Sequence, residues 1–217
     1  MTEKEIRKAI LEAGKKLVGQ NLVQGTWGNI SVRVDQNNMI ITPSGIDYAR
    51  LKEEDLILMD INTLEYEGDL KPSSEKDLHA AIYCAQKDIN AVIHSHPSYC
   101  CSVAAAHAEV PVKDTKWQSL LGQTIKTAKY ALPSTVGLAN SVMRKKKDAK
   151  GCLMANHGVI ACGKDLDQAF EVIYAMEESA REYIEENVKK ISGKEEFDVE
   201  SMIEIFVRKY NKGNKER

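Results

Sequence analysis

Ala91-Val92-Ile93-His94-Ser95-His96-Pro97 sets three β-forming residues ahead of two histidines spaced by one residue, and closes on a proline. The apolar triplet reads as a buried strand and the proline as its stop. Side chains alternate along a strand, so His94 and His96 share one face at the strand's end, close enough to share one ion. Working outward, Gly151-Cys152-Leu153-Met154 and Val159-Ile160-Ala161 are two short apolar strands flanking Asn156-His157-Gly158. Upstream, Ile30, Val32 and Val34 alternate with polar residues, turn at Asp35–Asn38 and resume as Met39-Ile40-Ile41, which is a hairpin. Leu56–Met59 is a further strand. Helical patterns lie between and around these strands. Thr2 and Glu5 form a capping box ahead of Ile6, Ile10, Leu11, Leu17 and Val18, with a stop near Gly19. Pro72-Ser73-Ser74 opens a helix whose apolar face is Leu78, Ala81 and Ile82. Asp165 caps a long helix through Ile184, and Asp198 caps a last one carrying Met202, Phe206 and Tyr210. Interleaved helices and strands make the class α/β.

The chain has 217 residues, 43% of them hydrophobic, which suffices for one sizeable core and is short for two, so residues 1–217 are expected to form one domain. Charged residues make up 29% with a formal net charge of −2, which gives no electrostatic case for nucleic acid or an anionic membrane. No apolar run approaches a spanning helix, and Met1–Ile10 is charged and amphipathic where a secretory signal would be apolar, so a cytoplasmic protein is expected. The five cysteines are odd in number, lack CxxC spacing and read as small core residues.

HxH at a strand end is ligand spacing. Neutral imidazoles suit zinc and its first-row neighbours, and an open catalytic site uses three protein ligands. Among His79, His107 and His157, only His157 sits in a tight turn between apolar strands, where a sheet presents a side chain to a cleft. Glu75 begins a helix. There it either complements the helix dipole or, near a metal, serves as a ligand or general acid/base. His79, one turn further on, reads as a structural partner. Three small-residue turns offer N–H groups and hydroxyls to an anion: Gly25-Thr26-Trp27-Gly28-Asn29, Thr42-Pro43-Ser44-Gly45, and Ser73-Ser74.

GTWGNIS, TPSG, PSSE, HSHP and ANHGVI, in that order from Gly25 to Ile160, resemble the class II aldolase/adducin family, and most closely its L-fuculose-phosphate aldolase-like branch. The resemblance implies a three-layer α/β/α domain with a central, largely antiparallel sheet, and a homotetramer with sites at subunit interfaces. It implies one divalent metal ion per subunit, usually Zn2+ with Mn2+ or Co2+ as alternatives, bound by His94, His96 and His157, and Glu75 as catalytic acid/base. It implies a substrate phosphate held by Asn29, Ser44, Gly45, Ser73 and Ser74, with Gly28 allowing close backbone approach. Epimerases of the family usually carry aspartate at the Glu75 position, so glutamate favours carbon–carbon cleavage. The expected reaction splits a ketose 1-phosphate reversibly into dihydroxyacetone phosphate and an aldehyde through a metal-stabilised enediolate. The alternatives are a dehydratase, a decarboxylase, a 4-epimerase, or a non-catalytic adducin-head-like interaction domain. The family's tyrosine after Pro111 is missing, since Val112-Lys113-Asp114-Thr115-Lys116-Trp117 stands there. Tyr210 falls about where the family places a second, C-terminal tyrosine.

Overall fold

The computed structural model describes residues 1–193 and 196–215, with side chains through residue 209. Nine strands are β1 (Asn29–Arg33), β2 (Asn38–Ile41), β3 (Ile57–Asp60), β4 (Ala91–Ser95), β5 (Val110–Pro111), β6 (Thr124–Ile125), β7 (Thr127–Ala128), β8 (Gly151–Met154) and β9 (Gly158–Gly163) among the described residues. Among the same residues the helices are α1 (Glu3–Gly19), α2 (Lys76–Ala85), α3 (Ser98–Ala105), α4 (Thr115–Leu121), α5 (Val136–Lys146), α6 (Leu166–Ser192) and α7 (Val199–Lys215). A seven-stranded sheet runs in the order β3-β2-β1-β4-β9-β8-β7, and β5 pairs with β6 apart from it. Every pairing in the large sheet is antiparallel except β7 with β8. The sheet is thus largely antiparallel, and helices flank both of its faces.

Alternation along the strands sorts the core into two layers. On one side Ile30, Val32, Ile40 and Ile93 join Ile6, Ile10 and Leu17 of α1, Val103 of α3, Phe170 and Ile173 of α6, and Phe206 of α7. On the other, Met39, Ile41, Val92, Cys152 and Ile160 meet Leu78 and Ile82 of α2 and Leu138 and Val142 of α5. The capping box at Thr2 and Glu5 forms, and α1 buries Ile6, Ile10, Ala13, Gly14 and Leu17. Val18, assigned to the same stripe by spacing, is 41% exposed, because it falls past the edge of that face. Cys100, Cys152 and Cys162 are buried, whereas Cys84 is exposed and Cys101 half-buried, so the reading of all five as core residues holds for three. Among the described residues no helix is long and apolar enough to cross a membrane.

The stretch from Pro97 to Lys150 is where periodicity is least informative. It holds α3, α4, α5 and three two-residue strands. The sequence of α3, Ser-Tyr-Cys-Cys-Ser-Val-Ala-Ala, is made mostly of small residues and has no marked amphipathic stripe; Cys100, Val103 and Ala104 pack into the core, while Ser98, Cys101, Ser102 and Ala105 line a cavity. Its first turn is held by a residue distant in sequence. Both carboxylate oxygens of Glu177 on α6 accept N–H bonds at 2.9 Å, one from Tyr99 and one from Cys100. This cap fixes the helix that follows His96 and Pro97. Glu177→Ala leaves those N–H groups unpaired and is expected to cost about 1–3 kcal/mol in urea unfolding, with Glu177→Gln losing less. An alanine variant as stable as the parent would show that the cap carries no stability.

Candidate functional site

The antiparallel register of β1 with β4 places Asn29 directly opposite His94. On the other side β9 pairs with β4 so that Ser95 opposes Val159, and the Ala155–His157 turn joining β8 to β9 lies at the same end of the sheet. His94, His96 and His157 therefore converge, with one ring nitrogen of each within 4.8 Å of the others. Ring centroids stand 4.5 Å apart for His94 and His96 and 4.7 Å apart for His94 and His157. Two glycines make the approach possible. At Gly158 a Cβ would sit 2.4 Å from His96 Cδ2 and 2.7 Å from the Ser95 carbonyl. At Gly28, whose φ of +80° is left-handed, a Cβ would lie 2.7 Å from the His94 carbonyl, so this glycine supports the site from behind.

Glu75 is the residue just before α2, and its side chain makes no capping bond to that helix. It is 5% exposed and turns toward the histidines, with Oε2 3.3 Å from His94 Nε2 and Oε1 3.3 Å from His157 Nε2. His94 Nδ1 lies 2.8 Å from the Val159 carbonyl, which can only accept, so Nδ1 donates and a neutral ring leaves Nε2 bare. Burial first, and then the neighbouring His157, push the His94 imidazole down to about 3, which keeps it neutral. A bare lone pair thus faces a carboxylate oxygen, an arrangement that a cation or a proton must balance. His96 Nδ1 and His157 Nδ1 are also buried without a hydrogen-bond partner. The bare His94 Nε2 beside the Glu75 carboxylate, clustered with the His96 and His157 rings, fits a divalent ion, and the His94 bond to a backbone carbonyl is the support such ligands usually have.

The anion turns meet at this site. The backbone N–H of Ser73 donates to the Thr42 carbonyl at 3.0 Å and that of Ser44 to the Lys71 carbonyl at 2.9 Å, which clasps the Ser44-Gly45 turn against Ser73-Ser74. Gly28, Asn29, Ser44, Gly45, Ser73, Ser74 and Glu75 line one cavity of about 910 Å³ with the three histidines. Asn29 is buried, and its carboxamide is engaged within the protein, donating to Glu75 Oε2 at 3.1 Å and accepting from His79 Nε2 at 2.5 Å. His79 is fully buried behind the site and His107 is exposed away from it, so neither joins the histidine cluster. Tyr210 falls within α7, but its side chain lies outside the described residues.

Ser134 and Ile203, which also line the cavity, carry no usable signal in the sequence. Ser134, in the left-handed region at φ 64°, donates to Ser74 Oγ at 2.7 Å, and Ile203 reaches the cavity from α7. Trp27, from the first of the small-residue turns, is 61% exposed and sets its ring edge-on to His96 at 5.6 Å.

Metal content is expected to vanish in His94→Ala, His96→Ala and His157→Ala and to persist in His79→Ala and His107→Ala. Elemental analysis of the five purified variants checks this, and full occupancy in His157→Ala would remove it from the ligand set. Burial holds His79, His94 and His96 at about 3 in the folded chain against an ordinary 6.5. The unfolded chain therefore binds more protons between those values, and stability rises with pH across the window. Metal-stripped protein is expected to weaken as pH falls from 6.5 toward 3, with a shallower slope in His79→Gln, as read by urea unfolding at successive pH values.

The Class II Aldolase and Adducin N-terminal domain family matches residues 8–184. Among curated relatives, the 5-deoxy-D-ribulose 1-phosphate aldolase of Bacillus thuringiensis is 34% identical over 82% of this chain and 83% of its own. The L-fuculose phosphate aldolase of Escherichia coli is 34% identical over 85% of each chain. Among solved structures, an L-fuculose 1-phosphate aldolase superposes with a TM-score of 0.79 at 32% identity, covering 95% of this chain and 96% of the other. An L-fuculose-1-phosphate aldolase from Thermus thermophilus gives 0.74 at 26% identity, covering 87% of this chain and 97% of the other. With three imidazoles placed to hold a divalent metal and a family match over most of its length, this chain belongs to the class II aldolase family, and is a metal-dependent lyase.

Proposed function

We propose that this enzyme cleaves a ketose 1-phosphate reversibly to dihydroxyacetone phosphate and an aldehyde. The observation that carries this reading is the Glu75 carboxylate, buried and held 3.3 Å from two of three clustered imidazoles, beside turns rich in hydroxyl and N–H donors. In this reading His94, His96 and His157 hold one divalent ion, of which zinc best matches a set of three imidazole ligands. Such an ion, when bound, supplies positive charge to the substrate's adjacent carbonyl and hydroxyl oxygens. Ser44, Gly45, Ser73 and Ser74, with Gly28 and Asn29, grip the phosphate and set the reacting carbon beside Glu75. In the cleavage direction Glu75 delivers a proton to the carbon freed by bond scission, and in condensation it removes that proton.

Trp27, Cys101, Ala105 and Ile203 add apolar surface to the same cavity, which supports an aldehyde ending in a methyl group over a polyhydroxylated one. Tyr210 is assigned to the aldehyde end on the family resemblance. A homotetramer acting in the cytoplasm completes the proposal, supported by the same resemblance.

The test couples dihydroxyacetone phosphate release to a specific reductase across fuculose, rhamnulose, ribulose and 5-deoxyribulose 1-phosphates. Release from at least one is expected, with 5-deoxyribulose 1-phosphate ahead of ribulose 1-phosphate and unphosphorylated sugars poor. Glu75→Gln should retain its fold and lose on the order of 10²–10⁴ in rate. Elimination of water or epimerisation without release of dihydroxyacetone phosphate would overturn the aldol reading.

A further inference from the structure

Behind the site, two rows of polar groups interlock. Glu75, His79 and Tyr83 recur at every fourth residue from the start of α2 and share one face. Asn29 and Ser31 alternate on β1 and point to the same side. Asn29 Nδ2 is 3.1 Å from Glu75 Oε2, His79 Nε2 is 2.5 Å from Asn29 Oδ1, Ser31 Oγ is 2.6 Å from His79 Nδ1, and Tyr83 Oη is 2.9 Å from Ser31 Oγ. Ser31, His79 and Tyr83 are fully buried, and Asn29 and Glu75 nearly so.

The direction of every bond follows from the carboxylate. An ionised Glu75 only accepts, so Asn29 must turn its N–H toward it, which leaves the carboxamide oxygen facing His79. His79 Nε2 must then donate. The ring is neutral, so Nδ1 is bare and accepts from the Ser31 hydroxyl. Ser31, having spent its only proton, accepts from Tyr83. Turning the amide or moving the imidazole proton to Nδ1 would set acceptor against acceptor in a water-free layer, where an unmade bond is most costly.

We infer that His79 is a positioning residue: fixed as its Nε2–H tautomer by Ser31 and Tyr83, it orients the Asn29 carboxamide, which in turn holds the Glu75 carboxylate at the His94 and His157 nitrogens. The inference rests on the proton role proposed for Glu75. A glutamate side chain has three rotatable torsions, and the Asn29 N–H is what selects the one direction useful for proton transfer. Loss of this hold should slow the chemical step more than it weakens substrate binding, since the donors of Ser44, Gly45, Ser73 and Ser74 stay in place.

The test uses metal-loaded protein labelled with ¹⁵N-histidine. Two-bond ¹H–¹⁵N spectra should give the ring missing from the His79→Gln spectrum an Nε2–H pattern that is constant between pH 6 and pH 8. His79→Phe keeps ring bulk without the donor and should lower kcat about 10- to 100-fold, with KM within about threefold. His79→Gln restores an N–H near the Nε2 place and should recover most of that loss. If His79→Phe does not fold, Ser31→Ala, which removes the donor to Nδ1 together with the acceptor of the Tyr83 hydroxyl, should lower kcat less and move the His79 signals toward the Nδ1–H tautomer. An Nδ1–H or doubly protonated ring in the parent protein would overturn the inference, as would a folded His79→Phe with parental kcat. Normal turnover in Glu75→Gln would remove the proton role itself, and the tautomer measurement separates that failure from this one.

Discussion

Three imidazoles and a carboxylate sit largely out of water at one end of an antiparallel sheet, and what holds them there is the position of β4 between β1 and β9. Slipping β4 by one residue would turn His94 into the opposite helical layer and break its bond to the Val159 carbonyl. That register is itself set by the core, because Ile93 belongs to one apolar layer and Val92 to the other. Packing on both faces of the sheet thus dictates the placement of the polar groups at its end.

Burying those groups has a cost that the surroundings offset unevenly. His79, Asn29, Ser31 and Tyr83 are paired with one another and with Glu75, so they add little penalty and stiffen the junction of α2 with β1. On the cavity side His94 Nε2 stands bare, and the two Glu75 oxygens lie 3.3 Å from His94 Nε2 and His157 Nε2. Imidazole nitrogens gathered around a carboxylate out of water are what a fold looks like when it reserves coordination positions for an ion rather than optimising its own stability.

The cavity combines hydroxyl groups with apolar surface. Ser44 and Ser74 are exposed within clasped turns, and Trp27 and Ile203 line the same cavity. Relatives named for a 5-deoxyribulose and for a fuculose phosphate match this chain at equal identity, 34% in both cases, so identity does not rank one above the other.

The sequence by itself determined the α/β class, the principal strands, the HxH pair and the choice of His157 over His79 and His107, because each depends on local period or on a tight turn between apolar runs. Glu75 is legible as a helix-start carboxylate, and its local sequence is compatible with both a dipole-complementing and an acid/base role. Only the tertiary structure decided that its side chain leaves the helix dipole for the imidazoles, since that depends on β1 and β4 lying beneath α2. The same holds for Ser134, Ile203 and the Glu177 cap, each contributed by an element distant in sequence. It holds as well for α3, whose mostly small residues carry no marked stripe and whose place is set by the core on one side and by the Glu177 cap at its start. Local chemistry writes the donors and ligands into the chain; their pairing is fixed by strand order and by which layer each strand residue faces, and neither is a local property.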